Sequence, residues 1–113
     1  MKMIIAIIRP EKLGDVKAAA TAAGATGITI TEVKGRGAQK GITLQSRGGS
    51  YEIDFIEKIQ LTAVVHDEIK QEVVEAIISS ARTDRGPGDG KIFVLNVEES
   101  IRIRTGEMNG DSL

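Results

Sequence analysis

Glycines and basic side chains are the residues of this chain whose types and spacing could do chemistry. The segment TDRGPGDGK, residues 83–91, holds three glycines and ends on Lys91. Glycines let backbone N–H groups approach an anion, and a lysine adds a point charge that suits a phosphate. A plain turn at the end of a helix would have the same composition, so this segment alone leaves both interpretations open.

A pair of arginines adds to this signal. Arg102 and Arg104 stand two residues apart in IRIR, and on a strand this spacing would put both on one face, about 6–7 Å apart. Adjacent guanidiniums repel each other unless they share an anion, and their fork geometry matches phosphate oxygens. Glutamates nearby, such as Glu107, could instead pair with them. With Gly-Arg-Gly at 35–37 as a third weak anion signal, the pattern favours a nucleotide without identifying it.

No catalytic constellation accompanies these groups in the sequence. The chain has one histidine, His66, at a strand–helix junction where a cap or surface role is favoured, and it has no cysteine. The lack of cysteine excludes disulfides and thiolate metal sites and suits a reducing cytoplasm. The HExxH, GxSxG and Walker lysine motifs do not occur. We therefore predict a cytoplasmic binding protein and not an enzyme.

Length and charge limit the remaining classes. The 113 residues suit a single domain (1–113), and a formal charge of −1 with interspersed acids and bases gives no global reason to expect nucleic acid. Two phenylalanines and one tyrosine are also too few for a sheet that stacks bases. The apolar run at 3–8 is too short for a signal segment or a membrane span, and it predicts a buried strand.

The elements that must position these residues follow from hydrophobic periodicity. Pro10 opens a run with helical spacing that ends at Gly24, and GITITEV then alternates as a strand. A second alternating strand carries Lys58 on its mostly polar face. An amphipathic helix with Asp67 as a plausible N-cap follows, and IFVLNV and IRIR are predicted as further strands.

The order strand–helix–strand occurs twice, which predicts the fold class. We expect an α+β fold, a ferredoxin-like double βαβ sandwich with one mainly antiparallel sheet and two helices on one face. The other face of the sheet needs a cover, which favours an oligomer. Between the two halves, GRGAQKGITLQSRGGSYEIDF (35–55) has five glycines and no proline. We predict a long flexible loop there, over about 37–55.

Four separated segments carry a resemblance to a known family. They are TEVKGRGAQKG (31–41), RGGSYEIDF (47–55), GDGKIFV (88–94) and IRIRTGE (101–107). Together they resemble the signature segments of the PII nitrogen-regulatory signal proteins, the GlnB/GlnK family, and the chain looks GlnK-like. The resemblance runs in register from residue 1 to about 107, with one local insertion.

The resemblance implies a homotrimer that binds ATP or ADP in clefts between subunits, with Mg²⁺ and 2-oxoglutarate beside ATP. Its phosphate-binding loop would be 83–91, and its C-terminal segment 101–113. On the nucleotide side, the resemblance assigns Ile7, Thr29, Gly35, Gly37, Val64, Gly88, Asp89, Gly90 and Lys91, with Arg102 and Arg104 reaching the phosphates from the neighbouring chain. On the 2-oxoglutarate side, it assigns Gly37, Gln39, Lys40, Gly41 and Lys58, with Gln39 as the one side chain on Mg²⁺.

Three departures from the family pattern concern the nucleotide. Ala38 stands where a basic residue is usual, and Thr62 stands where glutamate is usual. Four residues, 84–87, separate Thr83 from Gly88, where the family usually has three. The extra residue predicts a reshaped phosphate-binding loop, and together the departures leave the preference between ATP and ADP, and any slow ATP hydrolysis, open.

The long loop at 35–55 is predicted to bind a protein partner. Ordering about twenty residues costs roughly 20–40 kcal/mol at about 1–2 kcal/mol each, whereas a micromolar ligand supplies about 8 kcal/mol. A metabolite can therefore set the base of the loop, and only a protein can order its tip.

The resemblance makes a trimeric ammonium transporter the leading partner. Arg47 would enter its cytoplasmic pore mouth, and Mg²⁺-ATP with 2-oxoglutarate would release it. Regulation of glutamine synthetase or nitrogenase is the alternative. Membrane association would occur only through the transporter, and Tyr51 lies where some relatives are uridylylated.

Overall fold

The residues that a computed structural model describes, 1–36, 42–46, 49–53 and 55–113, form six strands and two α-helices. For 42–46 and 49–53 this description covers the backbone. The elements are β1 (Lys2–Ile8), α1 (Leu13–Ala22), β2 (Ile28–Gly35), β3 (Ile42–Ser46), β4 (Gly49–Ile53), β5 (Ile56–Val65), α2 (Lys70–Ala81) and β6 (Gly90–Asn96). A short 3₁₀ turn precedes each helix, at Pro10–Lys12 and at Asp67–Ile69, and a third spans Asn109–Ser112. No helix in the described part of the chain is both long and apolar enough to cross a membrane.

The main sheet has the strand order β2-β5-β1-β6, and each neighbouring pair is antiparallel. Each α-helix follows one strand and leads to another that is not its neighbour, so each strand–helix–strand half is split by an inserted strand. This is the arrangement of a split βαβ fold. The predicted fold class, an α+β ferredoxin-like double βαβ sandwich, is confirmed.

One face of the sheet forms the core with both helices. Because side chains of a strand alternate between faces, Ile4, Ala6 and Ile8 of β1 are buried while the residues between them are only partly buried. α1 packs against α2, and both contribute to one apolar cluster with the sheet. Its largest fully buried members are Ile4, Ile8, Val16, Leu61, Val73 and Ile77.

The opposite face of the sheet remains open in the single chain. Ile5 at its centre lies between Thr62 of β5 and Phe93 of β6, and Phe93 and Leu95 are each about half exposed (49% and 48%). Apolar side chains in such positions suit a protein interface. The open face is therefore compatible with the expected oligomer, which stays a prediction.

Two sequence predictions about local structure are wrong. Asp67 does not cap α2, because it lies inside the 3₁₀ turn that precedes the helix, and its carboxylate instead lies 2.9 Å from the amino group of Met1. IRIR is not a regular strand either. Ile101 forms an isolated bridge with Met108, and the intervening residues turn.

The turn after Ile101 has a local cause. Gly106 has a φ of +74°, which glycine adopts without strain. The N–H of Gly106 donates to the carbonyl oxygen of Arg102 at 2.7 Å, and the N–H of Arg102 donates to the carbonyl oxygen of Glu107 at 2.8 Å. IRIR therefore forms the first arm and the beginning of a chain reversal whose second arm contains Met108, and not a straight strand.

The segment predicted as a flexible loop contains regular backbone pairing. β3 and β4 form an antiparallel ladder in which Ile42 lies opposite Ile53 and Ser46 lies opposite Gly49. The sequences ITLQS and GSYEI include β-branched and aromatic residues, which favour strands. The prediction overlooked this pattern because the glycines around it dominated the composition. Residues 37–41, 47–48 and 54 lie outside the described part of the chain.

Candidate functional site

The segment 83–91, called here the glycine loop, joins α2 to β6 beside the end of β1. Gly86, Gly88 and Gly90 all have positive φ, at +72°, +99° and +121°. At Gly90 the need for glycine is steric as well, because a Cβ atom there would lie 1.8 Å from the carbonyl oxygen of Ile7. The glycine loop therefore ends directly against the backbone of β1.

A buried arginine holds the middle of the glycine loop. Arg9 follows β1 and is 9% exposed. Its Nε donates to Oδ1 of Asp89 at 3.1 Å, and its Nη2 donates to the carbonyl oxygen of Pro87 at 3.0 Å. Asp89 also accepts the backbone N–H of Thr83 at 2.9 Å and the Thr83 hydroxyl. These bonds close the loop on itself and attach it to the end of β1.

The carboxyl group of Asp89 stays ionised under ordinary conditions. The Thr83 hydroxyl, the Thr83 N–H and then Arg9 stabilise its carboxylate, which lowers its pKa to about 2. A lowered carboxyl pKa adds stability above the unfolded-state pKa, and this stability is lost only as pH falls towards 2. The network around Asp89 is therefore constant across the physiological pH range.

Lys58 reaches the glycine loop from the open face of the sheet. The prediction that it lies on the polar face of its strand is confirmed, since its buried neighbour Ile59 points to the core. Its Nζ donates to the carbonyl oxygen of Gly88 at 2.6 Å. Partial burial lowers the pKa of Lys58, and the nearby Arg9 charge lowers it further. An ammonium that is partly stripped of water in this way gains by pairing with an anion.

A cavity of about 350 Å³ lies between the glycine loop and the open face, and it is called here the glycine-loop cavity. Arg36, Lys58 and Lys91 contribute three cations to its lining. Its predicted site residues are Ile7, Gly35, Lys58, Gly88, Gly90 and Lys91. Cationic side chains beside a glycine-rich backbone form an environment that suits phosphate or carboxylate groups.

A second group of predicted residues lines a different cavity, of about 670 Å³, called here the C-terminal cavity. Thr29, Val64 and Arg102 belong to it, as does Thr62, which pairs with Thr29 across the strands. Met3 of β1 lines this cavity, whereas Ile7 lines the glycine-loop cavity. Four residues of a strand span about 13 Å. The single chain thus divides the predicted nucleotide site into two halves.

The two arginines of IRIR do not lie on a strand, which was the geometry that predicted a shared face. Nη2 of Arg102 donates to the carbonyl oxygens of Ser112 and Leu113, each at 3.3 Å. Nη1 of Arg102 lies 3.6 Å from the Glu107 carboxylate, which is the alternative pairing that the sequence allowed. Arg104 is exposed on the turn.

Several predicted residues lie where no side chain is described. Gly37, Ala38, Gln39, Lys40, Gly41 and Arg47 fall outside the described residues, and the side chain of Tyr51 does too. Their roles stay predictions. Within the described ranges, His, Asp and Glu side chains do not form a group of three that could hold a metal ion.

Sequence reasoning missed two members of the network, Arg9 and Thr83. A signal for Arg9 was available, because a charged residue directly after a buried strand must find a partner. Its partners, Pro87 and Asp89, are about eighty positions away in the chain. The sequence alone therefore could not identify them.

Comparison with known proteins gives a consistent result. The sequence model of the family described as "Nitrogen regulatory protein P-II" matches residues 1–107. A protein of that name from Cereibacter sphaeroides is 51% identical over 113 residues, covering all of both chains. "Nitrogen regulatory protein P-II 2" from Methanothermobacter thermautotrophicus is 56% identical over 107 residues, 95% of this chain and 92% of that one. The P-II protein of Haemophilus influenzae is 51% identical over the full length of both chains.

Proposed function

Because the chain belongs to the nitrogen regulatory protein P-II family, we propose that it is a GlnK-like signal protein. It binds ATP or ADP together with 2-oxoglutarate, and it regulates an ammonium transporter without catalysing a reaction itself. The observation that carries the binding part is the glycine-loop cavity, where three cations face a glycine-rich backbone.

The positions of Lys91 and Lys58 indicate which anionic ligand each of them would bind. Lys91 is the last residue of the glycine loop, so we assign its ammonium group to the nucleotide phosphates together with the backbone of the loop. Lys58 approaches from the sheet, has a lowered pKa and already donates to Gly88. We assign it to a carboxylate of 2-oxoglutarate. Mg²⁺, held by Gln39 and the phosphates, would offset the negative charge that the two anions bring together.

The division of the site into two cavities supports a site shared between copies of the chain. The glycine-loop cavity is lined by Gly88, Gly90 and Lys91, which we assign to the phosphates, and the C-terminal cavity is lined by Thr29, Val64 and Arg102. A second copy packed against the open face could bring its C-terminal cavity to the glycine-loop cavity of the first. This arrangement agrees with the proposed homotrimer. The cleft between two copies would then contain the predicted residues of both cavities.

Calorimetry of the wild-type chain tests the sensing mechanism. We expect Mg²⁺-ATP to bind with one site per chain, and 2-oxoglutarate to bind the ATP-loaded protein. Adenosine, which lacks the phosphates, and glutarate, which lacks only the 2-oxo group, are the matched control ligands and should bind at least about tenfold more weakly, because each hydrogen bond lost to a charged group is worth about 1.5–3 kcal/mol. ATP-loaded protein that takes up no 2-oxoglutarate would contradict the proposed sensor.

Arg47→Ala tests the proposed output. We expect the variant to bind ATP like the wild type and to lose most of its inhibition of ammonium uptake by transporter-containing vesicles, because the proposed block depends on this side chain. Lys17→Ala is the control, since Lys17 is an exposed cation on α1 and its loss should leave inhibition unchanged. If the Arg47→Ala variant inhibited ammonium uptake as fully as the wild type, the proposed role of Arg47 in entering the pore would be wrong. Tyr51 remains a proposed second switch through modification.

A further inference from the structure

Arg9 differs from the other charged residues that the structure describes, because it alone is buried. A buried guanidinium is retained only where its donors are satisfied. Both of its described hydrogen bonds go to the glycine loop, one to the backbone at Pro87 and one to the carboxylate of Asp89. Arg9 lines neither the glycine-loop cavity nor the C-terminal cavity.

The residues held in this way are consecutive. Arg9 holds Pro87 and Asp89, and Lys58 holds the carbonyl group of Gly88 between them. The carbonyl oxygens of Pro87 and Gly88 accept hydrogen bonds from Arg9 and from Lys58. These two cations therefore restrain the path of the backbone through 87–89. The direction of the following N–H groups depends on that path, because each peptide unit is planar.

We propose that Arg9 is a positioning residue for phosphate binding, acting through the glycine loop without touching the nucleotide. This inference rests on the proposed nucleotide-binding function. The planar guanidinium reaches two acceptors in different directions, which a lysine ammonium on a flexible stem would not hold as rigidly. The restraint matters more in this chain because four residues, 84–87, connect Thr83 to Gly88 and a longer loop has more conformations to lose on binding.

Other charged groups near Arg9 do not replace it. Glu11 forms an exposed pair with Arg85, with 2.9 Å between Oε1 and Nη2. That pair also joins the glycine loop to the start of α1, but exposed pairs contribute little. It therefore provides a matched control, since Glu11→Gln breaks this pair from outside the glycine loop and leaves the Arg9 contacts in place.

The test compares ATP with adenosine in Arg9→Gln, Arg9→Lys and Glu11→Gln. We expect Arg9→Gln to bind ATP about 10–100-fold more weakly, the size of effect that groups supporting a binding site have, while adenosine affinity, measured by NMR titration, changes less than about twofold. Arg9→Lys keeps the charge but loses the fork, and we expect it to weaken ATP at least about fivefold. Glu11→Gln should stay within about twofold of the wild type for both ligands.

Each outcome decides the inference. ATP affinity within twofold of the wild type in Arg9→Gln or Arg9→Lys would overturn it, as would equal losses of ATP and adenosine, which indicate general destabilisation. If Arg9→Gln does not fold, Arg9→Lys decides the inference alone, because it keeps the charge that Asp89 needs. A wild-type chain that binds no ATP would overturn the proposed function and this inference with it, whereas wild-type-like variants overturn only the inference.

Discussion

The Gly90→Ala variant is expected to lose at least about 3 kcal/mol of folding free energy, with a melting temperature at least about 10 °C below that of the wild type. Two physical effects add at this position. The φ of +121° lies outside the left-handed region that L-residues tolerate. The new Cβ atom would also lie 1.8 Å from the carbonyl oxygen of Ile7 and 2.9 Å from its carbonyl carbon. These are backbone atoms of β1, an inner strand of the sheet, so no side-chain rotation can relieve the clash.

Nucleotide binding should be lost with the same substitution. Gly90 begins β6 and is the last glycine of the glycine loop, so moving it away from Ile7 displaces two lining positions of the glycine-loop cavity. We therefore expect no measurable ATP binding at concentrations that saturate the wild type. Calorimetry measures ATP binding, and thermal unfolding measures the melting temperature. The chain concentrations must be equal, because the melting temperature of an oligomer depends on concentration.

Gly86→Ala is the matched control for this prediction. Gly86 lies in the same loop with a φ of +72°, and a Cβ atom there would meet no atom within 4 Å. Only backbone strain of about 1–2 kcal/mol is expected. A Gly90→Ala protein that melts no lower than Gly86→Ala would show that the close approach to Ile7 does not constrain the loop.

The Lys58→Met variant is expected to bind 2-oxoglutarate about 10–150-fold more weakly, equivalent to the 1.5–3 kcal/mol of a hydrogen bond to a charged group. Methionine keeps an unbranched apolar stem of similar length and removes the ammonium group, so packing on the open face changes little. ATP affinity should fall much less, by a few fold, because Gly88 loses one donor to its carbonyl group while Lys91 and the glycine loop remain.

The stability of Lys58→Met gives an independent check on the same residue. The pKa of Lys58 is lowered in the folded state, chiefly by burial, so its protonated form is less favourable there than in the unfolded chain. At pH values where Lys58 is protonated in both states, replacing the ammonium should leave the melting temperature equal or slightly higher. A wild-type affinity for 2-oxoglutarate in this variant would contradict the assigned role of Lys58.

Lys34→Met is the control that separates position from charge. Lys34 is an exposed residue of β2, opposite Glu57 in register, and it does not line the glycine-loop cavity. Removing it takes away one positive charge from the same end of the sheet. We expect less than a twofold change in the affinity for ATP or 2-oxoglutarate, and a loss as large as that of Lys58→Met would indicate a general electrostatic effect.

The sequence by itself determined the four strands of the main sheet, the two α-helices and their order, because those depend on local periodicity. Alternation along β5 predicted which of its side chains enter the core, and it correctly put Lys58 on the opposite face. The glycines of the glycine loop were likewise recognisable as positions with special backbone geometry. The same local logic failed at IRIR, where four alternating residues do not distinguish a strand from the start of a chain reversal. It also failed at 42–53, where the surrounding glycines concealed two short strands.

Only the tertiary structure decided how the site is built. The bonds from Arg9 to Pro87 and Asp89 join residues about eighty positions apart, and no local pattern encodes such a pairing. The separation of Ile7 and Lys91 from Thr29 and Arg102 into two cavities also depends on strand order and register. Periodicity acts between near neighbours in the chain, whereas hydrogen-bond partners and cavities arise where distant segments pack. The sequence therefore indicated which groups could bind anions. The fold decided which of these groups line the same cavity, and it brought Arg9 into contact with the glycine loop.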